Sequence, residues 1–154
     1  MRWLLSMLSL GILLSCEPQP FYEEKIELGT DGWATETPLS FKTEIQDTAI
    51  IYNLELVIEH TPDYRYQNIY LNIKTLFPHQ DSREERLSID LADKKGKWIG
   101  KCNSKSCKCK VYLLDNFKFP TPGNYGFELS QDTREETLTN IRSLTLQLFN
   151  STPD

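Results

Sequence analysis

A two-residue alternation of apolar and polar side chains is the feature that most constrains what this chain can fold into. The stretch NLELVIEH, at positions 53–60, places Leu54, Leu56 and Ile58 on one face of an extended chain and polar residues on the other. Equivalent alternation recurs at 68–77, 86–92 and 143–149. A period of two is typical of β-strands with one buried face, so these four stretches are predicted to be strands.

Shorter alternating stretches predict further strands at 22–28, 39–45, 110–119 and 125–131. Sequences rich in glycine, proline and aspartate separate them, and these residues favour turns because they accept or preset particular φ angles. No ten-residue stretch carries the stripe of an amphipathic helix. We therefore predict an all-β protein, an antiparallel β-sandwich of about eight to nine strands with immunoglobulin-like or jelly-roll topology.

The N-terminus has the pattern of an export signal. Arg2 supplies a positive charge, and a mostly apolar run then extends from Trp3 to Leu14. That run is too short for a membrane-spanning helix, which needs about 20 apolar residues. It ends in Leu-Leu-Ser-Cys, which resembles the lipobox of bacterial lipoproteins, in which the cysteine is acylated and the chain is cut just before it. Cys16 is therefore a predicted lipidation site; the alternative is an ordinary signal followed by an incidental cysteine.

The sequence thus divides into a lipoprotein signal peptide (1–15), a lipidated cysteine with its tether (16–21), one β-sandwich domain (22–150) and a short tail (151–154). The prolines of the tether favour an extended chain. Two or more acyl chains hold a protein stably on a membrane, whereas one holds it only marginally. We expect an outer-membrane lipoprotein of the cell envelope, on its periplasmic or its surface face.

Charge and motifs argue against several function classes. The net charge is −5, whereas nucleic-acid binding needs a basic face. The sequence contains no G-x-S-x-G elbow, no phosphate-binding or dinucleotide glycine pattern and no H-E-x-x-H. His60 and His79 are interpreted as surface residues. We expect no enzymatic activity, no cofactor and no metal.

Three cysteines remain after the signal, at positions 102, 107 and 109. An exported chain meets oxidising conditions, so a disulfide is expected. Cys107 and Cys109 would lie on one side of a strand, near the outer distance limit for a disulfide, so we expect Cys102 to pair with either Cys107 or Cys109. A thiolate metal site is the alternative, although the paired spacing of zinc sites and a nearby histidine are both missing from this part of the sequence.

Aromatic residues near turns form a candidate interaction surface. Its members are Trp33, Tyr64, Arg65, Tyr66 and Trp98. Exposed tyrosine, tryptophan and arginine dominate protein interfaces, and the aromatic rings also stack on sugars. The alternative for the rings is packing at the ends of the core.

A short match concerns Thr48, in the tripeptide DTA at 47–49. It fits an Asp-Thr-apolar acceptor pattern for O-glycosylation. The alternative is a turn in which the Asp47 side chain bonds its own backbone.

The chain resembles the gliding-motility lipoprotein GldH family of the Bacteroidetes. The residues that carry the resemblance are DTAIIYNLELVIEHTPDYRYQNIYLNI (47–73), LADKKGKWIGK (91–101), FPTPGNYGFELSQDTRE (119–135) and LTNIRSLTLQL (138–148). Thr133, Asn140, Thr145 and the cysteine-rich segment before Val111 depart from the family pattern. The resemblance implies lipidation at Cys16, a role in gliding linked to type IX protein secretion, and neither a reaction nor a cofactor.

Two functions are therefore predicted. The first is a structural or interaction lipoprotein whose sheet edges and aromatic loops bind other envelope proteins of the gliding and secretion machinery. The second is a carbohydrate-binding lipoprotein, which would require a co-planar row of exposed rings formed by Trp33, Tyr64, Tyr66 and Trp98.

Overall fold

Strands account for all the regular structure that the computed structural model describes, which covers residues 18–79 and 81–151. The eleven strands in these ranges are β1 (Tyr22–Glu27), β2 (Trp33–Ala34), β3 (Leu39–Ile45), β4 (Ile51–His60), β5 (Asn68–Leu76), β6 (Ser82–Asp90), β7 (Lys101–Cys102), β8 (Cys107–Phe117), β9 (Gly123–Gln131), β10 (Thr137–Leu138) and β11 (Ile141–Ser151). The described residues contain no helix that could cross a bilayer. The signal peptide and Cys16 lie outside the described residues.

Two antiparallel sheets make up the sandwich, and the predicted all-β fold is confirmed. A five-stranded sheet has the order β1-β11-β4-β8-β7, and a four-stranded sheet has the order β3-β9-β5-β6. The small pair β10-β2 forms a third sheet. The eight predicted strands are all present, and the three additional ones are two residues long. Strands of two residues are too short for an alternating pattern to reveal them.

The core lies between the inner faces of the two large sheets. Leu54, Leu56 and Ile58 of β4 are buried as their alternation predicts, and β3 alternates buried and exposed residues along its whole length. Two large rings from β9, those of Tyr125 and Phe127, are each 1% exposed in this core. Each such side chain stabilises the fold by roughly 1.5–3 kcal/mol relative to an exposed position.

Strand direction divides the molecule into two ends. The tether end contains the start of β1 and β4 and the end of β8 and β11, and there the ring of Phe21 packs 6.3 Å from that of Tyr52. The loop end, opposite, consists of the connections 28–38, 61–67, 91–106 and 132–140. The ten residues of β4 run from one end to the other, a rise of about 33 Å.

Candidate functional site

Most of the predicted interaction residues meet at the loop end, where they form an aromatic cluster with His60. The ring of Trp98 lies edge-on to His60 at 4.6 Å, and Tyr64 is 5.7 Å from His60 between their ring centroids. Tyr66 continues the cluster outward, 5.8 Å from Tyr64. Within the cluster Trp98 is half-buried, and Arg65, which lies between Tyr64 and Tyr66 in the chain, is exposed.

Burial corrects part of the predicted interaction surface. Trp33 is 1% exposed and Tyr64 is 4% exposed, so the prediction that they belong to an exposed surface is wrong. Trp33 lies in β2, and its indole N–H donates to the carbonyl oxygen of Thr37 at 2.8 Å. The hydroxyl of Tyr64 donates to the backbone oxygen of Asn68 at 3.2 Å. Because each polar tip finds a backbone acceptor, the rings can enter the core without leaving a donor unpaired.

His60 is fully buried, which overturns its interpretation as a surface residue. Its Nδ1 lies 2.9 Å from the carbonyl oxygen of Thr61 and donates to it in the neutral tautomer that carries the proton on Nδ1. Its Nε2 has no hydrogen-bond partner among the described residues. Burial lowers the pKa of the imidazole because charging it would cost desolvation free energy. The period of Leu54, Leu56 and Ile58 continues to position 60, so the alternation itself held the signal for this burial.

The buried imidazole predicts acid sensitivity. The folded state holds His60 neutral below its ordinary pKa of about 6.5, whereas the unfolded chain takes up a proton there, so stability falls as pH drops through that value. Urea unfolding between about pH 7.5 and 5.5 should show a loss of up to about 1.4 kcal/mol per pH unit. His60→Gln should flatten this dependence, while His79→Gln, at an exposed site, should leave it unchanged. An equal slope in both variants would contradict the assignment.

The cysteines separate into one bridge and one free thiol. Cys102 and Cys107 form a disulfide with their Cα atoms 4.0 Å apart, which closes the hairpin between β7 and β8. Cys109 is free and buried on the same face of β8, and burial raises the pKa of its thiol. The sequence left open whether Cys102 pairs with Cys107 or with Cys109, and the structure has the Cys102–Cys107 pair. In residues 18–79 and 81–151 no group of three metal-ligating side chains converges.

An open cleft of about 600 Å³ lies beside Tyr66 at the loop end. Part of its charged and aromatic lining is paired internally: the Arg86 guanidinium lies 4.4 Å above the ring of Tyr70 and forms an ion pair with Asp132. Tyr66 donates to the carboxylate of Glu135. The lining comes from three separate segments of the chain, so no local motif could have predicted it. Such a cleft can receive polar groups.

A second opening lies between the sheets, where β8 and β6 form the open side of the sandwich. An apolar slot of about 80 Å³ is bounded by side chains that include Leu87, Leu113, Leu114 and Phe117. The other β6 positions that line it carry Arg83 and Glu85, whose side chains form an ion pair at 3.7 Å. Charged residues at such positions protect a sheet edge from unwanted pairing.

The edge of β8 is left unpaired along most of its length. Its first two residues, Cys107 and Lys108, pair with β7. Among the described strands, residues 109–117 pair with β4 on one side and with no strand on the other. A register irregularity at this point of the β4–β8 ladder leaves both Leu113 and Leu114 half-buried beside the slot. An unpaired strand edge next to an apolar slot is a template to which an extended peptide can add.

Thr48 lies at the tether end, in the loop between β3 and β4. Asp47 accepts the backbone N–H of Ala49 at 2.7 Å, so the turn that the sequence offered as an alternative is present. The Tyr52 hydroxyl donates to the Asp47 carbonyl oxygen at 3.0 Å and fixes the loop. Thr48 is half-buried there, and its glycosylation remains a prediction.

Comparison with known proteins gives matches along most of the chain. A family model described as GldH lipoprotein matches residues 20–148. The gliding motility lipoprotein GldH homolog of Christiangramia forsetii is 26% identical over 121 residues, which cover 79% of this chain and 74% of that protein. The gliding motility lipoprotein GldH of Flavobacterium johnsoniae is 22% identical over 129 residues, covering 84% of this chain and 79% of that protein.

Two solved structures overlap with the fold at low similarity. A GH115 4-O-methyl-alpha-glucuronidase with specificity for decorated arabinogalactans gives a TM-score of 0.47 at 10% identity, over 89% of this chain and 18% of that enzyme. The CBM35 from Cellvibrio japonicus Abf62 gives a TM-score of 0.35 at 16% identity, over 83% of this chain and 78% of that domain. Superpositions at this level support no inference about ligands or activity.

Proposed function

This chain belongs to the GldH lipoprotein family, and from that premise we propose that it is a non-catalytic structural and interaction component of the gliding motility machinery and the associated type IX secretion machinery. Membership makes it a lipoprotein of the cell envelope linked to gliding motility. The proposal adds the non-catalytic role, the link to secretion and an outer-membrane location, with the anchor at Cys16.

The observation that carries the proposal is the match of the family model to residues 20–148, which includes every strand except the last residues of β11. The geometry supports an interaction role in addition. Cys16 lies six residues before the first residue of β1, a span of at most about 20 Å. The anchor therefore limits the distance between the tether end and the membrane, and the loop end, about 33 Å away along β4, presents the cleft and the aromatic cluster to partners.

The carbohydrate-binding alternative loses the feature on which it depended. It required Trp33, Tyr64, Tyr66 and Trp98 to form an exposed row, and two of these four rings are buried. The low structural similarity to a carbohydrate-binding module does not restore it.

A gene deletion in the native host tests the proposed function. We expect the deletion to abolish surface movement and to reduce secretion of type IX substrates into the medium, and we expect the wild-type gene to restore both. A variant with Glu84→Gln on the exposed face of β6 serves as a matched complementation control, because its side chain lies on the solvent side of the sandwich. A deletion strain that moves and secretes normally would refute the proposal.

A further inference from the structure

Lysine is concentrated in one part of this acidic protein. Residues 91–110 contain seven of the eleven lysines and a single acid, Asp93. This segment therefore has a net charge of +6, whereas the whole chain has a net charge of −5. The segment forms two adjacent hairpins, residues 91–99 and 101–108, which we call the lysine hairpins. A local reversal of charge sign of this size is a feature that the overall composition conceals.

The first hairpin is held by its backbone and by its single acid. Ala92 pairs with Trp98, and the Asp93 N–H donates to the carbonyl oxygen of Lys97 at 2.8 Å. The Asp93 carboxylate accepts the backbone N–H groups of Lys95 and Lys97 at 2.8 and 2.9 Å. Asp93 is thus engaged with the backbone, and the lysine side chains of the turn point to solvent.

The second hairpin is closed by the Cys102–Cys107 disulfide. In its turn, Asn103 accepts the backbone N–H groups of Lys105 and Ser106 at 2.8 and 2.9 Å. The two hairpins are packed together at Gly100, where a Cβ atom would come within 2.2 Å of the Lys108 carbonyl oxygen. This positive-φ glycine lets the connecting chain lie directly on β8, so the two turns are held in a fixed arrangement.

Four lysines of these hairpins have no ion-pair partner among the described residues. Lys94, Lys95, Lys97 and Lys105 are exposed, and each lies outside the ion pairs of the described chain. By contrast, Lys110 and Lys108 extend over the outer face of the five-stranded sheet to Glu55, at 3.1 Å, and Glu59, at 3.9 Å. The turns therefore present positive charge that no ion pair within residues 18–79 and 81–151 neutralises. Ile99, which is 39% exposed, adds an apolar contact beside them.

We propose that the lysine hairpins dock an acidic segment of a partner protein. Charge complementarity defines the partner, because clustered ammonium groups on rigid turns attract carboxylates and accelerate encounter. The position at the loop end favours a protein over the membrane that holds the anchor, since the hairpins lie about 33 Å from the tether end. The adjacent Ile99 and the free edge of β8 offer contacts that a peptide chain can use. The inference rests on the proposed interaction role and specifies the chemistry of the partner.

A titration tests the proposal with the full-length lipoprotein held in neutral detergent. The probe is a labelled glutamate-rich peptide, and its binding is followed by fluorescence anisotropy at low ionic strength and at roughly 0.15 M salt. The test variant carries Lys94→Glu, Lys95→Glu and Lys97→Glu, which leave the backbone bonds to Asp93 in place. The control carries Lys42→Glu, Lys74→Glu and Lys118→Glu, which change the net charge equally but lie outside the hairpins.

We expect the peptide to bind the wild type and the control alike, and the test variant at least about tenfold more weakly, with binding weakened by salt. Equal loss in both variants, or no binding to the wild type, would overturn the proposal. So would binding of anionic vesicles or duplex DNA in place of the peptide, or salt-sensitive self-association that the test variant abolishes. The titration uses purified protein, so its outcome is independent of the deletion experiment. A deletion strain that moves and secretes normally would refute the proposed function and would leave the peptide-binding result to stand or fall by itself.

Discussion

Replacing Cys16 with alanine is expected to abolish incorporation of labelled palmitate into the protein. In a second chain, an ordinary cleavable export signal replaces residues 1–15 and alanine replaces Cys16, and we expect this chain to move from the membrane fraction to the soluble fraction. Each buried methylene of an acyl chain contributes about 0.8 kcal/mol to membrane binding, so an anchor of two or more chains retains essentially all of the protein.

Ser15→Thr, with Cys16 kept, is the matched control, and it should retain both the label and the membrane location. Among the described residues no helix is long and apolar enough to cross a bilayer. Persistence of the label in the Cys16→Ala chain would place the modification at another residue. Membrane retention of the cleaved, alanine-bearing chain would show that the domain binds the envelope without a lipid.

Replacing Trp33 with alanine should cost about 3–5 kcal/mol of unfolding free energy, because it empties a large buried site. The change also removes the indole donor to Thr37 and leaves a backbone oxygen without its partner. An average domain has a stability of about 5–15 kcal/mol, so this loss is a large fraction of the total. Urea denaturation with the disulfide intact measures it as a lower midpoint at an unchanged slope.

Tyr66→Ala is the comparison for Trp33→Ala, because it removes an aromatic ring at an exposed site in place of a buried one. Tyr66 is 39% exposed and its hydroxyl bonds an exposed carboxylate, so the loss should be within about 1 kcal/mol. If partners bind at the loop end, Tyr66→Ala should weaken their co-purification from envelopes while the fold is retained. If the two variants lost equal stability, the distinction between a buried Trp33 and an exposed Tyr66 would be wrong.

Sequence reasoning succeeded where the signal was local and failed where it depended on a neighbour distant in the chain. Alternation located β4 and β11 because one face of each meets the core, along the whole of β4 and from Leu144 to Leu148 in β11. The first residues of β6 were missed, since Arg83 and Glu85 take inward positions at an uncovered edge and break the alternation. The exposure of Trp33 was misjudged because β2 pairs with β10, about a hundred residues away along the chain.

The lysine hairpins also combine a property that is local in the sequence with one that depends on distant residues. Their positive charge could be read directly from the sequence, but whether the lysines were neutralised could not. The structure shows Glu55 and Glu59 beside Lys110 and Lys108, which pairs the lysines on the strand and leaves those in the turns without described partners. Ion pairs depend on distances of a few ångströms, which strand register sets and composition does not.

By itself, the sequence determined the all-β class, most of the strands, the inward faces and the lipobox that predicts an anchor at Cys16. These properties follow from the period of the side chains along the chain or from a contiguous motif. Only the tertiary structure decided which cysteine pairs with Cys102, which aromatic rings are buried, and which ends of the sandwich carry the tether and the clefts. The physical reason is that burial and pairing depend on which strands become neighbours, and that choice is made by packing the whole domain.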